Sequence, residues 1–101
     1  MKKIIFTGGS GKFGKVFKKL NSKKNIYYPS SNIFDITNFK KMERYIKKIK
    51  PKIIIHTAAI SRPMQIHENK IEKSISTNII GTSNIVNLCK KYKIKLIYFS
   101  T

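Results

Sequence analysis

The 101 residues allow one small domain with a single core and exclude a two-domain enzyme. Apolar residues make up 41% of the sequence and occur in periodic clusters, which is typical of a folded globular chain. The 22 Lys and Arg residues against 4 acidic ones give a formal net charge of +18, and no apolar run reaches the roughly 18 residues of a membrane span.

The positive charge is distributed rather than clustered. Lysines lie along every predicted helix and loop, and aromatic residues do not alternate with them as they do in a nucleic-acid stacking platform. This pattern favours a solvated basic surface, keeps attraction of anionic nucleotides as an alternative and disfavours nucleic-acid binding. The start, Met1-Lys2-Lys3 followed by only three apolar residues, is too short for a secretory signal. We therefore expect a cytoplasmic protein without a membrane anchor.

Strand and helix patterns alternate along the chain. Residues 2–7 form an apolar run that suits the interior of a parallel sheet. A helix follows from about residue 12, and the residues predicted to form its inward stripe are Phe13, Val16, Phe17 and Leu20. A short second strand at 25–28 ends at Pro29, and residues 30–32 are predicted to be a loop.

The second half of the chain continues the alternation. A second helix, which ends before Pro51, has an apolar side made by Phe39, Met42, Ile46 and Ile49. Residues 53–56 are predicted to be the third strand, 69–92 a long helix and 96–99 the fourth strand. The residues of the long helix predicted to point inward are Ile71, Ile75, Ile79, Val86 and Cys89.

Four strands alternating with three helices predict an α/β fold. Because crossover connections are right-handed, the strands should lie parallel with helices on both faces. We expect one three-layer domain over residues 1–101 with a doubly wound strand order 3-2-1-4. That order opens a crevice between the carboxyl ends of strands 1 and 4, and it leaves the fourth strand as an edge open to self-association.

A glycine-rich turn, Thr7-Gly8-x-x-Gly11-x-x-Gly14, follows the first strand and opens the first helix. Gly8 permits the sharp turn, Gly11 admits a pyrophosphate close to the backbone, and Gly14 lets the helix pack against the strands. A plain turn would explain one or two of these glycines, but the strand and helix context favours dinucleotide binding, with phosphates held by main-chain N–H groups. The predicted site comprises Gly8, Ser10, Gly11, Lys12, Phe13 and Gly14.

A second candidate site is the stretch "FDITN" before the second helix, which contains the only aspartate of the chain, Asp35. The alternative is that Asp35 caps the helix or closes a turn, since Asp, Thr and Asn all favour those positions. Because Thr37 or Asn38 can cap the helix, we predict that Asp35 and the neighbouring Ile36 are available to contact an adenine.

Other reactive residues have simpler interpretations. Cys89 lies among apolar residues of the long helix and is predicted to be a core residue rather than a reactive thiol. His56 and His67 lie far apart, with neither cysteines nor paired carboxylates nearby. The sequence therefore offers no metal site.

Together these motifs resemble a known family. The Thr-Gly-x-x-Gly-x-x-Gly spacing, "FDITN" and "KPKIIIHTAAISRP" at 50–63 are similar to the extended short-chain dehydrogenases/reductases that act on nucleotide-sugars, and most of all to dTDP-4-dehydrorhamnose reductase-like proteins. The resemblance covers the whole chain but only the N-terminal part of such enzymes. It implies a Rossmann-type fold, in which Asp35 approaches the adenine while Ala58, Ala59 and Ser61 lie beneath the ribose and nicotinamide side. Close packing remains an alternative role for the two alanines.

The resemblance extends to "NIIGTSNIV" at 78–86 and to "IYFST" at the end of the fourth strand. It implies that Thr101 polarises the carbonyl or hydroxyl of the substrate. Asn78 is expected to make a structural hydrogen bond rather than take part in chemistry, because an unpaired buried amide costs about 1–3 kcal/mol.

The Tyr-x-x-x-Lys pair that relays the proton in the family does not occur in these 101 residues. The resemblance therefore implies the cofactor-binding part of a nucleotide-sugar oxidoreductase that is inactive alone. The alternatives are part of an epimerase or dehydratase, and a non-catalytic NAD(P)-binding regulatory module. The stretch 29–31 has serines where an acid would favour NAD, and Lys23 and Lys24 lie nearby, so the prediction is slightly for NADP over NAD. A nucleotide-sugar substrate is expected only in a full-length form.

Overall fold

In the computed structural model, residues 2–8, 12–21, 24–30, 32–58 and 68–100 are described, with the backbone alone at 12, 13, 58, 68–78 and 100. The elements in chain order are β1 (Ile4–Thr7), α1 (Lys12–Leu20), β2 (Ile26–Tyr27), α2 (Phe39–Ile49), β3 (Ile53–Ala58), α3 (Glu68–Tyr92) and β4 (Lys95–Ser100). The predicted alternation is confirmed, with boundaries within two residues of those expected.

All strand pairs are parallel, but the strand order is β2-β1-β3-β4. The predicted order 3-2-1-4 is therefore wrong. Strand β2 has only two residues and pairs with β1 at Ile4 and Ile5, whereas β3 pairs with all four residues of β1 on its other side. A two-residue strand offers too short an edge for the six-residue β3, so the chain crosses back over β1. The topological reversal consequently lies between β1 and β3, and not between strands 1 and 4.

Helices cover both faces of the sheet, as predicted. On one face, the ring of Phe17 in α1 stacks on Phe6 of β1, with ring centroids 4.7 Å apart. On the other face, α2 and α3 pack on β1 and β3 around a core that includes Ile5, Met42 and Ile54. Burial of each such side chain contributes about 1.5–3 kcal/mol, so this second face holds most of the apolar stabilisation.

The predicted inward stripes of α1 and α3 are partly wrong. The side chains of Val16 and Leu20 in α1 are 56% and 76% exposed. In α3, Ile79 and Val86 are exposed, while Ile85, Leu88 and Cys89 are buried. The remaining members of the two predicted stripes, Phe13, Ile71 and Ile75, lie outside the side chains that the structure describes.

The boundaries of α2 have local causes. At its start, the side chain of Asn38 accepts a hydrogen bond of 3.1 Å from the backbone N–H of Lys41. This contact satisfies one of the N–H groups that a helix start leaves unpaired. At its end, Lys50 adopts the left-handed conformation and its N–H donates to the carbonyl of Ile46. Of the two capping residues predicted from the sequence, Thr37 and Asn38, it is therefore Asn38 that caps α2.

Cys89 is a core residue, 5% exposed, as predicted. Burial raises the pKa of its thiol to about 11 from an ordinary value of 9.0, which leaves about 100-fold less thiolate at mildly alkaline pH. We expect iodoacetamide to label the native chain about 100-fold more slowly than the chain in concentrated guanidinium chloride. Mass spectrometry over a time course measures both rates. Native labelling at the denatured rate would contradict this burial.

The described part of the chain contains neither a membrane-spanning helix nor a cluster of metal-binding side chains. No helix there has the combination of length and apolar character needed to cross a bilayer. Nor does that part of the chain bring three or more His, Cys, Asp or Glu side chains together as a group that could hold a metal ion.

Candidate functional site

The turn that leaves β1 packs directly against the end of β3. Gly8 has a φ of +77°, which L side chains rarely adopt, and a Cβ at this position would overlap the hydroxyl of Thr57. The carbonyl oxygen of Thr57 would lie 3.3 Å from the same Cβ. Both the backbone conformation and the space therefore require glycine at position 8.

Hydrogen bonds join the carboxyl ends of β1 and β3 beneath this turn. The hydroxyl of Thr57 donates to the carbonyl of Thr7 at 2.8 Å, and the backbone N–H of Thr57 approaches the hydroxyl oxygen of Thr7 at 3.3 Å. Since parallel pairing sets Thr7 opposite His56, the polar ends of the two apolar strands meet at the same edge of the sheet.

His56 is buried at 2% exposure and connects three elements. Its Nδ1 lies 2.6 Å from the hydroxyl of Thr7 in β1, and its Nε2 lies 3.4 Å from the hydroxyl of Thr82 in α3. The tautomer of the ring decides which of these two contacts donates and which accepts, because either threonine hydroxyl can do both. Desolvation lowers the pKa of His56 below its ordinary value, so the imidazole is neutral.

Asp35 lies in a turn just before α2. Its Oδ1 accepts hydrogen bonds from the hydroxyl of Thr37 at 2.6 Å and from the backbone N–H of the same residue at 2.9 Å. The hydroxyl contact, followed by the backbone contact, lowers the pKa of the Asp35 carboxyl below its ordinary value. The expectation that helix capping leaves Asp35 wholly available is therefore wrong, because the carboxylate closes its own turn.

Two polar groups of this turn are unpaired within the described part of the chain. Oδ2 of Asp35 and the backbone N–H of Ile36 make no hydrogen bond to any described residue. An acceptor and a donor on neighbouring residues can pair with a group that itself offers one donor and one acceptor.

One turn of α3 contacts residues beneath the turn at Gly8 and residues of the turn at Asp35. Thr82 contacts His56 beneath the β1 turn, while the side-chain amide of Asn84 donates to the carbonyl of Ile36 at 2.9 Å. Gly81 is buried against the Ile36 side chain, and a Cβ on Gly81 would overlap that side chain. The motif "NIIGTSNIV" therefore contacts the motif "FDITN" in the folded chain.

The structure describes some of the predicted site residues. Gly8, Asp35 and Ile36 lie as given above, and Gly14 is buried within α1. The backbone alone is described for Lys12 and Phe13, at the start of α1, and for Ala58, at the end of β3. The predicted residues that fall outside the described part of the chain are Ser10, Gly11, Ala59, Ser61 and Thr101. The side chain of Asn78 is also outside it.

Five polar residues that hold the site together were not predicted as site residues from the sequence. They are Thr7, His56, Thr57, Thr82 and Asn84. Two signals were available. Polar residues directly follow the apolar runs of the first and third strands, and carboxyl ends of neighbouring parallel strands meet at one edge. The second signal was the run of small and polar residues at 81–84 between the two apolar pairs at 79–80 and 85–86.

The chain matches one family model over its whole length and is similar to solved reductase structures. A family model described as the RmlD substrate binding domain matches residues 1–101. Among solved structures, the chain is similar to dTDP-4-dehydrorhamnose reductase from Bacillus anthracis in complex with NADP, with 31% identity and a TM-score of 0.81 over 97% of this chain and 36% of that one. A second similar structure is dTDP-4-dehydrorhamnose reductase from Yersinia enterocolitica, with 26% identity and a TM-score of 0.73 over 95% of this chain and 34% of that one.

A curated relative belongs to a different reaction class. The chain is 33% identical over 103 aligned residues to dTDP-D-glucose 4,6-dehydratase of Dictyostelium discoideum, which covers 98% of this chain and 21% of that protein. The chain thus spans about a third or less of the length of these three relatives.

Proposed function

The chain belongs to the RmlD substrate binding domain family, and from this membership we propose that it is the cofactor-binding part of an NADP-dependent nucleotide-sugar oxidoreductase. The observation that carries the proposal is the turn at Gly8, which is forced against Thr57 at the point where the strand order reverses. In open α/β sheets, ligands bind in the crevice at the carboxyl ends of the strands at such a reversal.

The roles that we propose follow the residues. Main-chain N–H groups of the stretch from Gly8 to Gly14 bind the pyrophosphate, aided by the start of α1. Oδ2 of Asp35 accepts from the amino group of the adenine while the N–H of Ile36 donates to the adjacent ring nitrogen. Ala58, Ala59 and Ser61 line the ribose and nicotinamide side, and Thr101 polarises the oxygen of the sugar.

The bound dinucleotide would supply or accept the hydride, and the protein would position it. These 101 residues contain no Tyr-x-x-x-Lys spacing. We therefore propose that they bind the dinucleotide without turning over a sugar. Cytoplasmic location and a single domain over residues 1–101 remain parts of the same proposal.

NADP is proposed over NAD on two grounds. The similar reductase from Bacillus anthracis was solved with NADP. In this chain, no acid follows β2 to accept a hydrogen bond from the 2′-hydroxyl of NAD, whereas the exposed Ser30 follows that strand. A serine hydroxyl can donate a hydrogen bond to a 2′-phosphate.

Calorimetric titration of the 101-residue chain with NADP tests the proposal. We expect saturable binding with a dissociation constant below about 1 mM, and weaker binding of NAD. Because the chain carries a net charge of +18, inorganic pyrophosphate at each of two salt concentrations is the control. No NADP binding at millimolar concentration, or NADP and pyrophosphate affinities that match at both salt concentrations, would overturn the proposal.

A second candidate is the corresponding part of a nucleotide-sugar dehydratase or epimerase. The 33% identity to the dTDP-D-glucose 4,6-dehydratase favours it. An enzyme that regenerates its cofactor in each turnover has no need of the phosphorylated dinucleotide as a source of reducing equivalents. NAD binding equal to or tighter than NADP binding in the same titration would therefore support this second candidate.

A further inference from the structure

We propose that the turn of α3 from Gly81 to Asn84 is a positioning element for nucleotide binding, with Asn84 as the residue that fixes the Asp35–Thr37 turn. This inference rests on the proposed function and adds a residue that contacts no part of the dinucleotide. Asn84 acts through Ile36, because its amide donates to the carbonyl of that residue at 2.9 Å.

The Asp35–Thr37 turn is short of other anchors at its centre. Its N-terminal side is fixed by Phe34, which is 3% exposed, and its C-terminal side by Asn38, which caps α2. Between these two points, the hydrogen bonds that Asp35 makes in the described part of the chain are local. Its carboxylate accepts from Thr37, and its carbonyl accepts from the N–H of Asn38 at 2.9 Å. The central residue Ile36 depends on α3 for its position, through the amide of Asn84 and the space left by Gly81.

The N–H of Ile36 is the donor proposed to read the adenine. That N–H lies in the peptide plane between Asp35 and Ile36, whereas the Asn84 hydrogen bond holds the carbonyl in the next plane, between Ile36 and Thr37. Only the φ and ψ angles of Ile36 separate the two planes, so holding one limits the orientation of the other. Fixing the carbonyl before the ligand arrives reduces the conformational entropy lost on binding.

The same turn of α3 also fixes the distance between the turn at Gly8 and the Asp35–Thr37 turn. Thr82 contacts His56, and His56 contacts Thr7 directly before Gly8. Residues 81, 82 and 84 thus connect the Asp35–Thr37 turn and the turn at Gly8 to a single turn of α3. A dinucleotide that contacts both turns requires their separation to be constant.

The test compares ligands that contain the adenine with ligands that lack it. We expect Asn84→Leu, which keeps the approximate shape and removes the donor, to weaken binding of 2′,5′-ADP and NADP by about three- to tenfold. Binding of nicotinamide mononucleotide and of pyrophosphate should change by less than about twofold. Asn87→Leu is the matched control, because Asn87 is exposed on the same helix and should leave all four affinities unchanged.

Each outcome decides between distinct conclusions. If Asn84→Leu weakens the binding of adenine-containing and adenine-free ligands equally, Asn84 has a general structural role and the inference is overturned, while the proposed function stands. Unchanged affinities for all four ligands would also overturn the inference alone. Failure of the unmodified chain to bind any of the nucleotides would overturn the proposed function and the inference with it.

A second variant covers the case in which Asn84→Leu does not fold. Gly81→Ala pushes Ile36 from the opposite side and should produce the same selective loss for 2′,5′-ADP, with folding checked by circular dichroism. Failure of both variants to fold would show that these contacts hold the fold rather than tune the turn, and would overturn the inference.

Discussion

Replacing Gly8 by alanine is expected to lower the free energy of unfolding by about 1.5–3.5 kcal/mol and to abolish NADP binding. An L residue in the left-handed conformation costs about 1–2 kcal/mol, and Gly8 has a φ of +77°. The added Cβ would also displace the hydroxyl of Thr57 and break its hydrogen bond to the carbonyl of Thr7, at a cost of about 0.5–1.5 kcal/mol. Moving the turn would then misplace the N–H groups proposed to bind the pyrophosphate.

Urea denaturation of Gly8→Ala, Thr57→Ala and the double variant measures this effect and separates its two causes. If overlap with the Thr57 hydroxyl contributes, the double variant will be less destabilised than the sum of the single variants, whereas the conformational cost of Gly8→Ala will remain. Ser83→Ala, at an exposed position of α3, is the control and should change stability by less than about 0.5 kcal/mol. A Gly8→Ala variant as stable as the unmodified chain would show that the turn does not have this geometry.

The elements of the fold follow from local sequence patterns, whereas the strand order does not. Apolar runs and helical spacing identified all four strands and three helices, since each pattern reports on neighbouring residues. The order of the strands depends on how long an edge each one offers. The structure shows only two residues paired in β2, whereas the sequence predicted a short strand of four residues at 25–28.

Helical spacing also predicted more burial than the sheet can provide. Val16 and Leu20 lie at the correct spacing from Phe17, yet both are exposed, whereas Phe17 stacks on Phe6 of β1. Periodicity identifies the apolar side of a helix but not how much of that side is covered by a neighbouring element.

For the site, residues with a backbone requirement were predictable and those with long-range partners were not. Gly8 was identified from its spacing, and its turn is as tight as expected. His56, by contrast, was considered only as a possible metal ligand. Its contact residues Thr7 and Thr82 lie 49 and 26 positions away in the sequence, so no local pattern predicts these contacts. Asp35 falls between these cases, because the local competition of Thr37 for its carboxylate was foreseeable from the turn preferences of both residues.

The buried imidazole of His56 predicts a loss of stability on mild acidification. Burial lowers its folded-state pKa below the ordinary value of 6.5, so the unfolded chain binds the proton first. The contribution of the neutral His56 to the free energy of unfolding is therefore fully present above about pH 6.5. It is lost as the pH falls toward the folded-state pKa, by at most about 1.4 kcal/mol per pH unit. Its hydrogen-bond partners in the described part of the chain are hydroxyls, so no carboxylate there compensates the charge.

Urea unfolding at a series of pH values from about 7 to about 5 should show a progressive loss of the free energy of unfolding, with a slope no steeper than about 1.4 kcal/mol per pH unit. This window excludes Asp35 and Glu43, because their lowered pKa values mean that their contributions are lost only below their ordinary values of 3.8 and 4.5. His56→Gln, which keeps an amide donor and acceptor but does not titrate, should flatten the profile, and His67→Gln should leave it unchanged. If the slope survives in His56→Gln and disappears in His67→Gln, the acid sensitivity belongs to the other histidine and the neutral imidazole at the β1–β3–α3 junction is not its source.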